Sequence, residues 1–431
     1  MKKGSGLLRR AFWIFSGMIL LAGILLMPGL IDRVSDQVLP ENASPDRAVT
    51  TLHFIHWGDF PSSTWETFNQ QHPGIRVEAE RYGLNQYEQV LMTRKASGDP
   101  IDVMGVEACD YSRMNRLGEL LDLTGQPLVE AYDMATIQRI GNMDPAGGLG
   151  CVPLRSRAVG IWYNRILFDK YGLAVPGNAA DFDAVCAALA RNGVRPLLMG
   201  CRDERVCAWM MYLRIWPAVM ASGSIDPLSA QPASTLYWKL PVLVPAFEET
   251  EAFVRAGYLA KESANLTYEQ AFSNFINGQS AMCLAADDAI AMIPAEAEKI
   301  TDLGVFPIPC VADGQEMSVP ADRADWLTGI PSSSAHKPEA QLLLAHLGQA
   351  DTVREWVNAL GMRSPLKDAP KADTRYETLW DPLFQFPATP TVATSFSQDR
   401  QKRIAEAMRG ILLGGTAGEA MEYLDGNWPL P

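Results

Sequence analysis

Basic residues are in the minority: 37 Lys and Arg stand against 50 Asp and Glu in 431 residues, a net charge of −13. Phosphate contacts need a basic surface, and no basic run occurs beyond the first ten residues, so the sequence argues against nucleic acid as a partner. Cysteine is absent before Cys109, so no lipobox thiol follows the N-terminal segment. The cysteines form no CxxC pair and no Cys/His cluster of zinc spacing, and neither a metal nor a cofactor is expected. His53 and His56, three apart in a predicted strand, point to opposite faces and make a poor metal pair. There is no Walker A loop and no HExxH, and Gly278-Gln-Ser-Ala-Met282 falls short of GxSxG. The chain therefore carries no signature of an NTPase, a zinc protease or an α/β-hydrolase. No internal repeat or low-complexity segment is present.

The hydrophobic share of 48% with 20% charged residues is that of a folded globular protein. Its length exceeds one ordinary core, so at least two lobes are expected. Residues 1–31 are a separate object. Lys2, Lys3, Arg9 and Arg10 precede an apolar run from Ala11 to Ile31, a pattern that directs export and is read either as a cleaved signal peptide or as an uncleaved anchor. Residues 32–49, polar and carrying Pro40 and Pro45, read as a tether. Seven cysteines in an exported chain leave at least one unpaired. Cys201 and Cys207 bracket the polar stretch Arg-Asp-Glu-Arg and are a candidate local disulfide, the alternative being two buried thiols.

From Thr51 the pattern runs strand (51–57), helix (63–71), strand (75–79), helix (86–96), strand (102–106). This alternation marks a parallel, helix-covered α/β sheet. Ligands of such sheets bind beyond the carboxyl ends of the strands, which points to Trp57, Asp59, Glu107 and Asp110. Further on, Gly160-Ile-Trp-Tyr-Asn-Arg-Ile-Leu-Phe-Asp-Lys-Tyr-Gly-Leu-Ala-Val-Pro176 reads as a buried strand, an Asn164 N-cap, and a short helix closed by Gly172 and Pro176.

That stretch resembles the "YN…F…GL..P" segment of the family 1 extracellular solute-binding proteins, the sugar receptors of ABC importers, to which maltose-binding protein belongs. "GDPIDVM" followed by "LGELLDL", then Phe275–Met282, Gly304–Pro309, Asp325–Ile330, Gly361–Pro365 and the closing "AEAMRGILLGGTAGEAMEYL" fit the same family in order. The resemblance implies a two-lobed, type II-like periplasmic binding protein fold, each lobe a helix-flanked sheet, joined by a hinge of several strands. It places lobe 1 at 50–153 and 311–360, and lobe 2 at 154–310 and 361–431. Cys151 and Cys310 would then lie near the crossover strands, where a hinge disulfide is a further expectation.

Sugar recognition needs aromatic faces for C–H surfaces and charged or amide groups for hydroxyls. Trp57 at a strand end is one candidate. Trp209 is another, although it shares a seven-residue spacing with Trp216 that also reads as a packed face. Trp326 lies in the element that resembles a cleft-lining strand. Where the family carries a Gly and then a stacking aromatic, this chain has Ala286 followed by Asp287 and Asp288, which suits small polyols or a cationic group better than a plain oligosaccharide. Arg155 and Arg157 share a strand face and are suited to grip a carboxylate, with Arg363 in "GMRSP" a third candidate. The expected role is a monomeric periplasmic receptor, able to stay tethered to the inner membrane, that closes on a carbohydrate or related polar molecule, a sugar acid included. It would deliver that molecule to an ABC permease. The alternatives are a tethered sensor using the same clamp and a glycoside-processing enzyme.

Overall fold

The computed structural model describes residues 49–145, 147–226, 237–294, 302–309, 318–371 and 377–428. The anchor or signal segment, nearly all of the tether, and Cys310 lie outside them. Among the described residues no helix is long and apolar enough to cross a membrane.

Two long strands join the halves of the molecule: β4 (Cys151–Asn164) and β8 (Val319–Gly329). They pair antiparallel, from Cys151 opposite Gly329 to Ala158 opposite Ala321, with a register shift between Arg155 and Arg157. On one side the sheet continues from β8 to β3 (Val103–Val106), β1 (Thr50–His56) and β2 (Ile75–Arg81). On the other, β4 pairs with β6 (Met282–Ala286) and β7 (Leu303–Phe306), and β6 pairs with β5 (Leu197–Leu198). The short β9 (Ala388–Thr389) runs parallel to the start of β8. Residues 158–162 of β4 are buried on both faces, which is why they read as a continuous apolar run and not as an alternation.

The parallel arrangement expected over the first fifty residues of the body is present, β1 pairing in parallel with both β2 and β3. The first helix spans Ser63–Gln71, and the second, Leu84–Ser97, stops at the left-handed Gly98 (φ 76°). Asn164 caps its helix as its chemistry requires, its side-chain oxygen accepting from Leu167 N–H at 3.1 Å. Trp162 is wholly buried, and its indole N–H donates to the Ala286 carbonyl at 3.2 Å.

The apolar residues gather in two main cores. One holds Phe54, Phe68, Tyr111, Leu327 and Trp356, and includes Met362 and Leu366. The other holds Phe182, Trp216, Phe247, Phe306 and Met408, with a smaller cluster around Trp162, Phe272 and Trp380 beside it. The molecule thus has two lobes, and the side chains at 155–157 on β4 and at Asp325 on β8 fall where the strands pass from one core to the other.

The candidate disulfide is corrected. Cys201 and Cys207 are both buried free thiols. The stretch between them winds into the helix Glu204–Ala208, and the Cys207 Sγ donates to the Ala405 carbonyl at 3.4 Å. A hydrogen bond with Cys207, together with burial, pushes the Cys201 thiol well above its ordinary pKa. Cys151, expected to pair with Cys310 at the hinge, is also a buried free thiol.

Candidate binding site

The strand crossing carries a compact cluster of charge. Arg155 donates from Nε and Nη2 to Asp325 Oδ2, at 2.9 and 2.5 Å, and its Nη1 lies 3.5 Å from Asp288 Oδ2. Arg157 stands 3.4 Å from Asp325 and 3.8 Å from Asp288. Asp288 is fixed from behind, since Tyr268 donates its hydroxyl to Asp288 at 2.9 Å while accepting from Ala286 N–H at 3.0 Å. Burial works against the Asp325 charge, but Arg155 and Arg157 outweigh it and hold this carboxyl well below the usual range. The same ion pairs raise Arg157 against its own desolvation. These side chains keep between 13% and 23% of their surface accessible, so they line a solvent-reached cleft and do not belong to a dry core.

The opposing wall comes from the first lobe. Glu107 is the N-cap residue of the helix Ala108–Arg116, and burial raises its pKa, against the pull of Arg205 and a hydrogen bond from Gln398. Gln398, first residue of the second-lobe helix Gln398–Leu412, donates to Glu107 and also to the Leu84 carbonyl at 3.3 Å. The short helix Val392–Ser395 lies against Ala108–Arg116 as well. The two lobes therefore touch across the cleft.

Trp326 shows how tightly the crossing is built. It has φ 54°, in the left-handed region that a bulky residue rarely adopts. Its indole stands 4.8 Å from the Phe60 ring and fills the space where a Cβ on Gly58 would sit, 1.5 Å from the ring. Its Nε1 is buried with no partner. Gly58→Ala should consequently displace the indole and cost about 2 kcal/mol, within the range for overpacking, read as a lower midpoint in urea unfolding.

The structure gathers Arg155, Arg157, Asp287, Asp288 and Glu107 around this crossing, with Trp326 against it at 6.0 Å from the Arg155 guanidinium. The other candidates are placed differently. Trp57 is half-buried, edge-on to Tyr87 at 4.8 Å and pressed against Gly105. Asp59 forms an exposed ion pair with Arg81 at 2.9 Å, and Asp110 faces Arg113 at 3.4 Å on its own helix. Trp209 is buried edge-on behind Tyr268. Arg363 is tied to Asp381 at 2.8 Å and lies over the Phe384 ring. Sequence reasoning missed Asp325, Tyr268, Gln398 and Arg205. Asp325 carried the one available signal, since it lies within a recognised motif, but its place opposite Arg155 is seen only in the folded register.

Two α/β lobes hinged on crossing strands, with a polar cleft at the crossing, define a clamp that binds small molecules. The family model described as "Bacterial extracellular solute-binding protein" matches residues 59–353, and the chain belongs to that family. It is an extracellular solute-binding component of the ABC importer class, a binding protein and not an enzyme. An uncharacterised ABC transporter extracellular-binding protein of Pyrococcus horikoshii is 25% identical over 382 residues, covering 82% of this chain and 80% of its own. The multiple sugar-binding protein of Streptococcus mutans is 20% identical over 303 residues, covering 68% of this chain and 69% of its own. A sugar transporter structure from Bacillus licheniformis, in complex with stachyose, superposes with a TM-score of 0.67 at 18% identity, covering 88% of this chain and 98% of that one.

Proposed function

We propose that this protein captures a carbohydrate or related polar molecule in the periplasm by closing its lobes, and delivers it to an ABC permease in the inner membrane. The observation that carries the reading is the cleft itself. Hydrogen-bonding side chains from both lobes converge on the strand crossing, and a ligand that contacts both lobes favours the closed state. The sugars named for the similar Streptococcus and Bacillus proteins support the chemical class. We place lobe 1 at about 50–153 with 311–366 and lobe 2 at about 154–310 with 367–431. The last crossing is put beyond Leu366, later than the 360 expected from the sequence, because Met362 and Leu366 pack in the first core. Left uncleaved, the apolar N-terminal run would hold the receptor near its permease; cleaved, it would serve export alone.

A thermal-shift screen of the purified chain against neutral oligosaccharides, polyols, sugar acids, amino acids and polyamines tests the reading. A cognate sugar at a hundred times its Kd should add about 2.7 kcal/mol of stability. Hits confined to amino acids or polyamines, or none at all, would overturn the carbohydrate class. The Gln398 contact gives a second test. Gln398→Ala should weaken the identified ligand about fivefold, the loss of roughly 1 kcal/mol of closing contact, as measured by calorimetric titration.

A further inference from the structure

We infer that the ligand carries an oxyanion, received between Arg205 and Arg157 on the second-lobe side of the cleft. The inference rests on the receptor reading above and narrows its ligand. Arg155 spends two of its donors on Asp325 and turns a third towards Asp288. Its neighbours are not so engaged. Among the described residues, no N–H of Arg157 makes a hydrogen bond of normal geometry, and its Nε is buried without one. Arg205, half-buried on the helix Glu204–Ala208, has neither a hydrogen bond nor an ion pair there. Its guanidinium is within electrostatic reach of Arg157, Glu107, Asp325 and Arg155, and burial and repulsion from Arg157 both lower its pKa.

The charge balance points the same way. Arg155 and Arg157 already share Asp288 and Asp325, which leaves Arg205 without an ion pair among the described residues, while burial pushes Glu107 and Asp287 towards their neutral forms. An ammonium ligand would meet repulsion here, and a neutral sugar would leave Arg205 without a counter-charge. A carboxylate or phosphate supplies that charge and enough acceptors for two planar donor forks.

Matched pairs test this on the full chain: galactose against galacturonate, and glucose against glucose 6-phosphate, titrated into wild type, Arg205→Gln and Arg205→Lys. The anionic member should bind roughly tenfold to a hundredfold tighter, and whichever pair shows the larger gap identifies carboxylate or phosphate as the oxyanion. The gap should shrink from about 50 to about 500 mM salt, vanish in Arg205→Gln and persist in part in Arg205→Lys. Arg205→Gln alone should leave the unliganded melting temperature unchanged or raised, since Arg205 has no partner to lose. Neutral members binding as well as their acids would overturn the oxyanion site and leave the receptor reading standing. Binding of no member by wild type would count against both.

Discussion

Asp325→Ala should cost about 3 kcal/mol of stability. Asp325 stands opposite Arg155 in the β4–β8 ladder and takes two of its N–H donors, while Arg157 lies 3.4 Å away. Removing this carboxylate leaves Arg155 and Arg157 with Asp288 as their one remaining ion-pair partner among the described residues. Breaking one partner from a buried ion pair typically costs 3–5 kcal/mol, and the low end applies because Asp325 keeps 22% of its side-chain surface. The loss should fall on the hinge, so it should appear in urea unfolding and also as weaker coupling between the lobes. Arg155→Met in the Asp325→Ala background should recover much of the loss, since the stranded charge goes with it. A double-mutant cycle separates that coupling from packing effects. A loss below about 1 kcal/mol for the single variant would mean that water already screens the pair, as it does at exposed sites.

The parts legible in the sequence are those governed by local rules. The helix Ser63–Gln71, the Asn164 cap and the turn at Gly172 follow from side chains acting within a few residues of themselves. Asp287 and Asp288 stood out because they replace an expected aromatic. The rest of the site depends on register and on packing between distant segments. Nothing local says that Asp325 will meet Arg155, 170 residues away, or that Gln398 will reach across to Glu107. Arg205 was hidden by the two cysteines around it, which suggested a disulfide loop where the chain forms a helical turn. Asp59 is placed away from the crossing for the opposite reason. It sits just past a strand end, as a ligand residue should, but Arg81 at the end of the neighbouring strand pairs with it in solvent.

Asp287 should make the protein less stable as pH rises through neutrality. It is 3% exposed, its Oδ2 has no hydrogen-bond partner, and burial and the adjacent Asp288 raise its pKa to about 7, against the pull of Arg363, Arg157 and Arg155. The folded state therefore holds a proton that the unfolded chain releases near the ordinary Asp value of about 3.9. Between these values the native state binds more protons, so stability falls with increasing pH. The contribution is fully present below about pH 4 and is lost as pH passes through 7. From pH 5 to pH 8.5 this one group should remove about 2.5 kcal/mol. Asp287→Asn keeps the shape and removes the titration, so its stability should decline less over the same range and exceed wild type at pH 8.5. Urea unfolding at the two pH values measures both. Equal declines in wild type and variant would mean that the cleft arginines keep Asp287 ionised throughout.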